Sequence, residues 1–131
     1  MGQKYLIDTC AVIKYLNQVY PPDALLFLDQ VVDIQSNISF ITKIELLVWN
    51  PHDPTDLLIF EYFVADSEMH LVNDAIINLA IVIKKNTGIK LPDTVIAATA
   101  IYNDFVLISD NEKDFKKAIP MGLQFINPIH I

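Results

Sequence analysis

The stretch that decides the fold is Gly88-Ile89-Lys90-Leu91-Pro92-Asp93-Thr94-Val95-Ile96-Ala97-Ala98-Thr99-Ala100. Pro92 suits the first helical position, where a missing N–H costs nothing, and Asp93 falls in the positively polarised first turn. Val95, Ile96, Ala97, Ala98, Ala100 and Ile101 then make a helix apolar on most of its circumference. It is small along the row Asp93, Ala97, Ala100, so another backbone can come close. Such a helix is buried, and it carries a carboxylate at its start.

Working outward, Ala75 to Lys85 reads as a long apolar helix, capped by Asn73 or Asp74 and closed by Gly88. On the other side, Phe105-Val106-Leu107-Ile108 is an apolar run without alternation, suited to a strand covered on both faces. A short helix from about Glu112 to Ala118 and a strand from Leu123 to Ile126 complete the chain. In the first half, Lys4 to Ile7 predicts a strand, followed by helical segments at Ala11 to Leu16 and Ala24 to Val32. Ile34 to Phe40 is a strand candidate weakened by Ser36 and Asn37. Thr42 begins a helix reaching about Trp49, where Asn50-Pro51 stops it. Pro54 opens another helix to about Ala65, and Met69 to Val72 is a short strand. Strands alternating with helices predict one α/β domain over residues 1–131, a parallel sheet covered on both faces, with ligands outside the carboxyl ends of the strands.

Composition narrows the function. The 131 residues are 53% hydrophobic, enough for a substantial core. No apolar run approaches the ~18 residues of a membrane span, and the start resembles no secretory signal, so a cytoplasmic protein without a membrane partner is expected. The single cysteine, Cys10, agrees with that expectation. Nine lysines and no arginine against sixteen acids, net −7, argue against a broad basic nucleic-acid surface.

The acids fall where a parallel sheet would gather them. Asp8 ends the first strand, Glu45 begins the helix after the second, Asp93 starts the helix leading to the fourth, and Asp110, Asn111 and Asp114 follow the fourth. Each has a purely structural alternative: Asp8 as a helix cap, Glu45 in a capping box Thr42-x-x-Glu45, Asp93 and Asp114 as helix-start residues. Two carboxylates ~5 Å apart at an effective dielectric of ~20 repel by roughly 3 kcal/mol, so convergence calls for protons or a cation. All-oxygen donors suit Mg²⁺ or Mn²⁺. His52, His70 and His130 fall at no expected strand end, which argues against zinc.

Leu6-Ile7-Asp8-Thr9, Thr42-Lys43-Ile44-Glu45-Leu46, Leu91-Pro92-Asp93-x-x-Ile96-Ala97-Ala98-x-Ala100 and Ile108-Ser109-x-Asn111-x-x-Asp114-Phe115 together resemble the PIN-domain ribonucleases, in particular VapC-like toxins of toxin–antitoxin pairs. The resemblance spans the whole chain. It implies a three-layer α/β/α sandwich, Mg²⁺- or Mn²⁺-dependent cleavage of RNA, and a protein antitoxin. Asp8, Glu45 and Asp93 match the family's core acidic positions and Ser109 its hydroxyl position. Asn111 stands at the fourth acidic position, a departure for which Asp110 or Asp114 would compensate. On this reading Asp8 and Asp93, with Glu45 directly or through water, hold one ion that activates a water, and Thr9 and Ser109 orient ligands or waters. Lys84, Lys85, Lys90, Lys113, Lys116 and Lys117 are the available phosphate contacts. A PIN-like module that only binds RNA or protein is the non-enzymatic alternative. A receiver-type phosphoacceptor and a haloacid-dehalogenase-type phosphatase fit less well, the latter because Cys10 stands where a second Asp is needed. Leu57, Leu58, Ile59, Phe60, Tyr62, Phe63 and Val64 are too many for one core-facing stripe. Together with Trp49 they predict either an outward-facing interface, for an antitoxin, a second copy of the chain as a homodimer, or both on adjoining surfaces, or burial under a neighbouring helix of the same chain.

Overall fold

The computed structural model describes residues 2–131. In chain order the elements are β1 (Tyr5–Ile7), α1 (Thr9–Leu16), α2 (Pro22–Ile34), β2 (Asn37–Ser39), α3 (Phe40–Leu47), α4 (Pro54–Asp66), β3 (Glu68–His70), α5 (Asp74–Thr87), α6 (Leu91–Tyr102), β4 (Val106–Ile108), α7 (Glu112–Phe115) and β5 (Gln124–Ile126). A 3₁₀ segment, Lys116–Met121, continues α7, and another, Pro128–His130, follows β5. All strand pairs are parallel: β1 lies beside β4 and β4 beside β5, with Ile7 opposite Ile108, while β2 pairs with β3.

Strand alternation divides the core in two. Leu6 and Leu107 face one side, where Ile76, Ala80 and Ile83 of α5, Ile96, Ala97 and Ala100 of α6, and Phe115 cover them. Ile7 and Ile108 face the other, against Ala11 and Val12 of α1, Ala24, Leu28 and Val31 of α2, Leu46 of α3, and Phe60 and Phe63 of α4. The result is the expected three-layer α/β/α sandwich. The small residues of α6 are buried without exception from Ile96 to Ala100, as its sequence predicts. Gly88 closes α5 in the left-handed region at φ 69°, a conformation costly for a residue with a Cβ.

Several local expectations are corrected. Ile34 ends α2 and is 87% exposed, so the second strand is only Asn37–Ser39. Asn37, read as a strand-weakening residue, is buried at the seam between β1 and β2, where its amide donates to the Tyr5 carbonyl at 3.1 Å. Its carbonyl meets His70 Nε2 at 3.1 Å, so this side chain bridges three strands where the backbone ladder is interrupted. His70 does end a strand, contrary to expectation, but its ring is engaged by Asn37 and packs edge-on against Phe105 at 5.1 Å between centroids. Helix α3 starts earlier than expected, and Ser39, not Thr42, caps it through Ile41 N–H. The capping box is therefore absent: Thr42 is a buried residue within the helix.

Candidate active site

The carboxyl ends of β1 and β4 lie side by side, so the residues that follow them, Asp8 and Ser109, meet. Ser109 Oγ, itself fully buried, donates to Asp8 Oδ2 at 2.7 Å. Asp8 stands at the N-cap position of α1, yet its side chain makes no cap hydrogen bond. That side chain is turned instead into the region between the two strand ends, where it is 6% exposed. Burial pushes its carboxyl above the ordinary value, with a smaller contribution from the charge of Glu45, against the Ser109 hydrogen bond that favours the carboxylate. Cys10 Sγ lies 3.4 Å from the same Asp8 oxygen. Burial, then the Asp8 charge, raise the Cys10 thiol to about 11, so it remains a protonated, packed group rather than a nucleophile.

With its capping role removed, Glu45 is free for other work. It projects from the middle of α3, and its Oε1 accepts from Thr9 Oγ1 at 2.6 Å. The Thr9 hydroxyl also meets the buried Thr42 hydroxyl at 3.0 Å, so two threonines aim this carboxylate. Asp93 enters from the third direction, in the first turn of α6. Its carboxyl is pushed up to about 6, by burial first and then by the charges of Asp8, Asp114 and Glu45, with Lys90 opposing. Acids from four separate parts of the chain thus act on one another.

Asp114 joins the group from α7. Asn111 Nδ2 donates to its Oδ2 at 3.2 Å, and Lys117 lies 3.7 Å from its Oδ1. Asn111 therefore orients a carboxylate with its amide, and the backbone N–H of Asn111 donates to Ser109 Oγ at 3.1 Å. Asp110, expected among the metal ligands, is taken up elsewhere: Tyr20 OH donates to its Oδ1 at 2.6 Å and the Lys14 ammonium pairs with its Oδ2. Of the candidate phosphate contacts, Lys84 is committed to the Ile89 carbonyl at 2.6 Å and Lys117 to Asp114. Lys85, Lys90, Lys113 and Lys116 are exposed. Thr42, Lys14 and Tyr20 are not singled out as site residues by the sequence. Thr42 has the local pattern of a cap, and Lys14 and Tyr20 act through a partner ninety or more positions away.

The donor set is hard: carboxylate, amide and hydroxyl oxygens, matched to Mg²⁺ or Mn²⁺. Among the described residues no three His, Cys, Asp or Glu groups stand close enough together to hold one ion. Mg²⁺ does not demand such a cage, because it keeps several waters and engages one or two carboxylates together with phosphate oxygens. The residues therefore fit the group by chemistry. A cavity of about 730 Å³, lined by Tyr5, Phe27, Asn37, His70 and Phe105 among others, opens at the opposite, amino-terminal ends of the strands and takes no part in this arrangement.

No protein-family model and no curated protein matches the sequence. Solved structures do match its fold. A chain of the DNA-bound VapBC from Salmonella typhimurium superposes with a TM-score of 0.80 at 20% identity, covering 97% of this chain and 99% of that one. A chain of VapBC2 from Rickettsia felis, bound to a DNA fragment from its promoter, gives 0.78 at 18% identity, over 95% and 98%. A chain of VapBC-1 from nontypeable Haemophilus influenzae gives 0.73 at 24% identity, over 96% and 98%. The chain has the fold of these toxin–antitoxin components from end to end, the PIN-like architecture expected from its motifs.

Proposed function

We propose that this protein is a metal-dependent ribonuclease, hydrolysing phosphodiester bonds of RNA as the toxin of a toxin–antitoxin pair. The observation that carries the reading is that Asp8, Glu45 and Asp114 all act on Asp93, whose carboxyl is pushed up to about 6 by burial first and then by those three charges. Unneutralised carboxylates that act on one another in a partly buried site are a cost to folding that a purely structural role does not explain. The fold shared with chains of toxin–antitoxin complexes supports the biological context.

One or two of Asp8, Asp93 and Glu45 would hold the ion directly and the remainder through its waters, with Asp114 and the carbonyl oxygen of Asn111 beside it. A bound Mg²⁺ or Mn²⁺ supplies positive charge to a phosphate and acidity to a water. The chain's own residues prepare for this. Ser109 fixes Asp8 and favours its charged form, Thr9 fixes Glu45, and Asn111 fixes Asp114, so the carboxylates need not reorganise when substrate arrives. Lys85, Lys90, Lys113 and Lys116, all exposed, would meet phosphates of the RNA backbone. No covalent nucleophile is involved.

The protein partner is proposed to be an antitoxin, a second copy of the chain, or both, on the apolar surface of α3 and α4. Leu58, Ile59 and Tyr62 are exposed there together with Ile44, Val48 and Trp49. Phe60 and Phe63, grouped with that surface in the sequence, belong to the core. The test of function is to incubate the purified protein with RNA and Mg²⁺ or Mn²⁺, with and without EDTA, and map cut ends. Metal-dependent cleavage abolished in Asp8→Asn and Asp93→Asn is expected. Binding of RNA without cleavage by the unaltered protein would favour the non-enzymatic module.

A further inference from the structure

The Ser109–Asp114 loop carries three of the site's contacts, yet it is only six residues long and opens onto solvent. Its inner end is anchored: Ser109 is fully buried on Asp8. Its next residue is tied from outside the site. Tyr20, 4% exposed in the core beneath α1 and α2, sends its hydroxyl to Asp110 Oδ1 at 2.6 Å. Lys14, on the last turn of α1, covers Oδ2, an oxygen otherwise buried without a partner. Burial and Asp110 together hold the Tyr20 phenol far above its ordinary value, so it stays a donor. Both partners belong to the chain that follows Asp8. The clasp therefore ties the loop after β4 to α1, at whose start Asp8 stands, through Lys14, and to the connection between α1 and α2 through Tyr20.

We propose that Asp110 is a positioning residue for the candidate active site, clasped by Lys14 and Tyr20 so that Ser109 stays on Asp8 and Asn111 on Asp114. The proposal rests on the nuclease reading above. If Asp110 is released, the segment between Ser109 and α7 keeps the Ser109 hydrogen bonds at one end, and at the other the ties of α7, where Glu112 accepts from Asn127 and pairs with His130. Asn111 then loses its fixed donor geometry toward Asp114, and the carboxylates must be reordered in each turnover.

The test uses the full-length protein with Lys14→Met, Tyr20→Phe, both together, Asp110→Asn, and Lys14→Arg as the conservative variant. Cleavage of an RNA oligonucleotide, Mn²⁺ binding followed by the paramagnetic resonance of free Mn²⁺, and exchange of the Asn111 amide proton, which donates to Ser109 Oγ, are measured on each. The double variant is expected to lose about 10-fold or more in kcat with KM nearly unchanged. Its Asn111 amide should exchange about 10-fold faster while the amides of α5 stay protected, showing that the fold persists. Lys14→Arg should behave as the parent. Parental kcat, or parental Asn111 exchange, in a folded double variant overturns the proposal. So does tighter Mn²⁺ binding by the double variant with weaker binding by Asp110→Asn, which would make Asp110 a ligand that Lys14 and Tyr20 restrain. A parent protein that cleaves no RNA would defeat the nuclease reading instead, and the exchange measurement would still decide whether the clasp orders the loop.

Discussion

Replacing Asp93 by asparagine separates the charge of the site from its shape. In the folded protein the Asp93 carboxyl is raised from the ordinary 3.8 to about 6 by burial and by Asp8, Asp114 and Glu45. A rise of that size corresponds to about 3 kcal/mol at 1.36 kcal/mol per pK unit, and screening of this partly exposed group reduces it to about 1–2 kcal/mol. Because the folded value lies above the unfolded one, the protonated form is favoured by folding. The penalty is therefore absent below pH 3.8, grows between pH 3.8 and about 6, and is complete above. An asparagine side chain carries no charge to be penalised. Thermal melts in EDTA should show Asp93→Asn gaining about 1–2 kcal/mol on the parent between pH 4 and pH 8, roughly 3–10 °C for a domain of this size. Adding Mg²⁺ should reverse the order by stabilising the parent more than the variant. Cleavage by the variant should fall about 100-fold or more, the loss of roughly 3 kcal/mol of transition-state stabilisation. Parallel pH profiles for the two proteins would refute the electrostatic reasoning, and cleavage at the parental rate would leave Asp93 as a helix-start residue only.

Asn111→Asp should place a second charge against Asp114, lowering the melting temperature in EDTA, while activity saturates at lower Mg²⁺ or Mn²⁺. A titration of activity and stability against metal checks both halves. Ser109→Ala deprives the buried Asp8 of its hydroxyl donor, which raises the Asp8 carboxyl further. The acid limb of the pH–rate profile should move to higher pH and metal affinity should fall about 10–100-fold. Phe60→Ala, in the core, should cost about 3–5 kcal/mol in denaturant unfolding. Tyr62→Ser and Ile59→Ser on the exposed face should change stability by less than ~0.5 kcal/mol. Those two should weaken self-association or antitoxin capture, measured by mass in solution, if that face is an interface.

The sequence by itself determined the alternation of strands and helices, the buried character of α6, and the chain order of the acids. These follow from local rules: proline and glycine punctuation, small residues along one helix row, and an apolar run too short for anything but a covered strand. It also predicted Asp8, Glu45, Asp93, Asp110, Asn111 and Asp114 near one sheet rim, because the carboxyl ends of parallel strands must share an edge. Hydrogen bonds between distant side chains were decided only in three dimensions. Thr42-x-x-Glu45 satisfies the local pattern of a capping box, yet Ser39 reaches the helix start first and Thr9 takes Glu45. Asn37 looks like a strand breaker locally and becomes the tie across the β1–β2 seam. Asp110 and Asn111 are adjacent and both polar, but one is held by Lys14 and Tyr20 and the other turns to Asp114. Patterning encodes which face of an element is buried. Which of two neighbouring polar groups meets a partner far along the chain depends on how the packed layers set their angles, and that is a property of the tertiary structure alone.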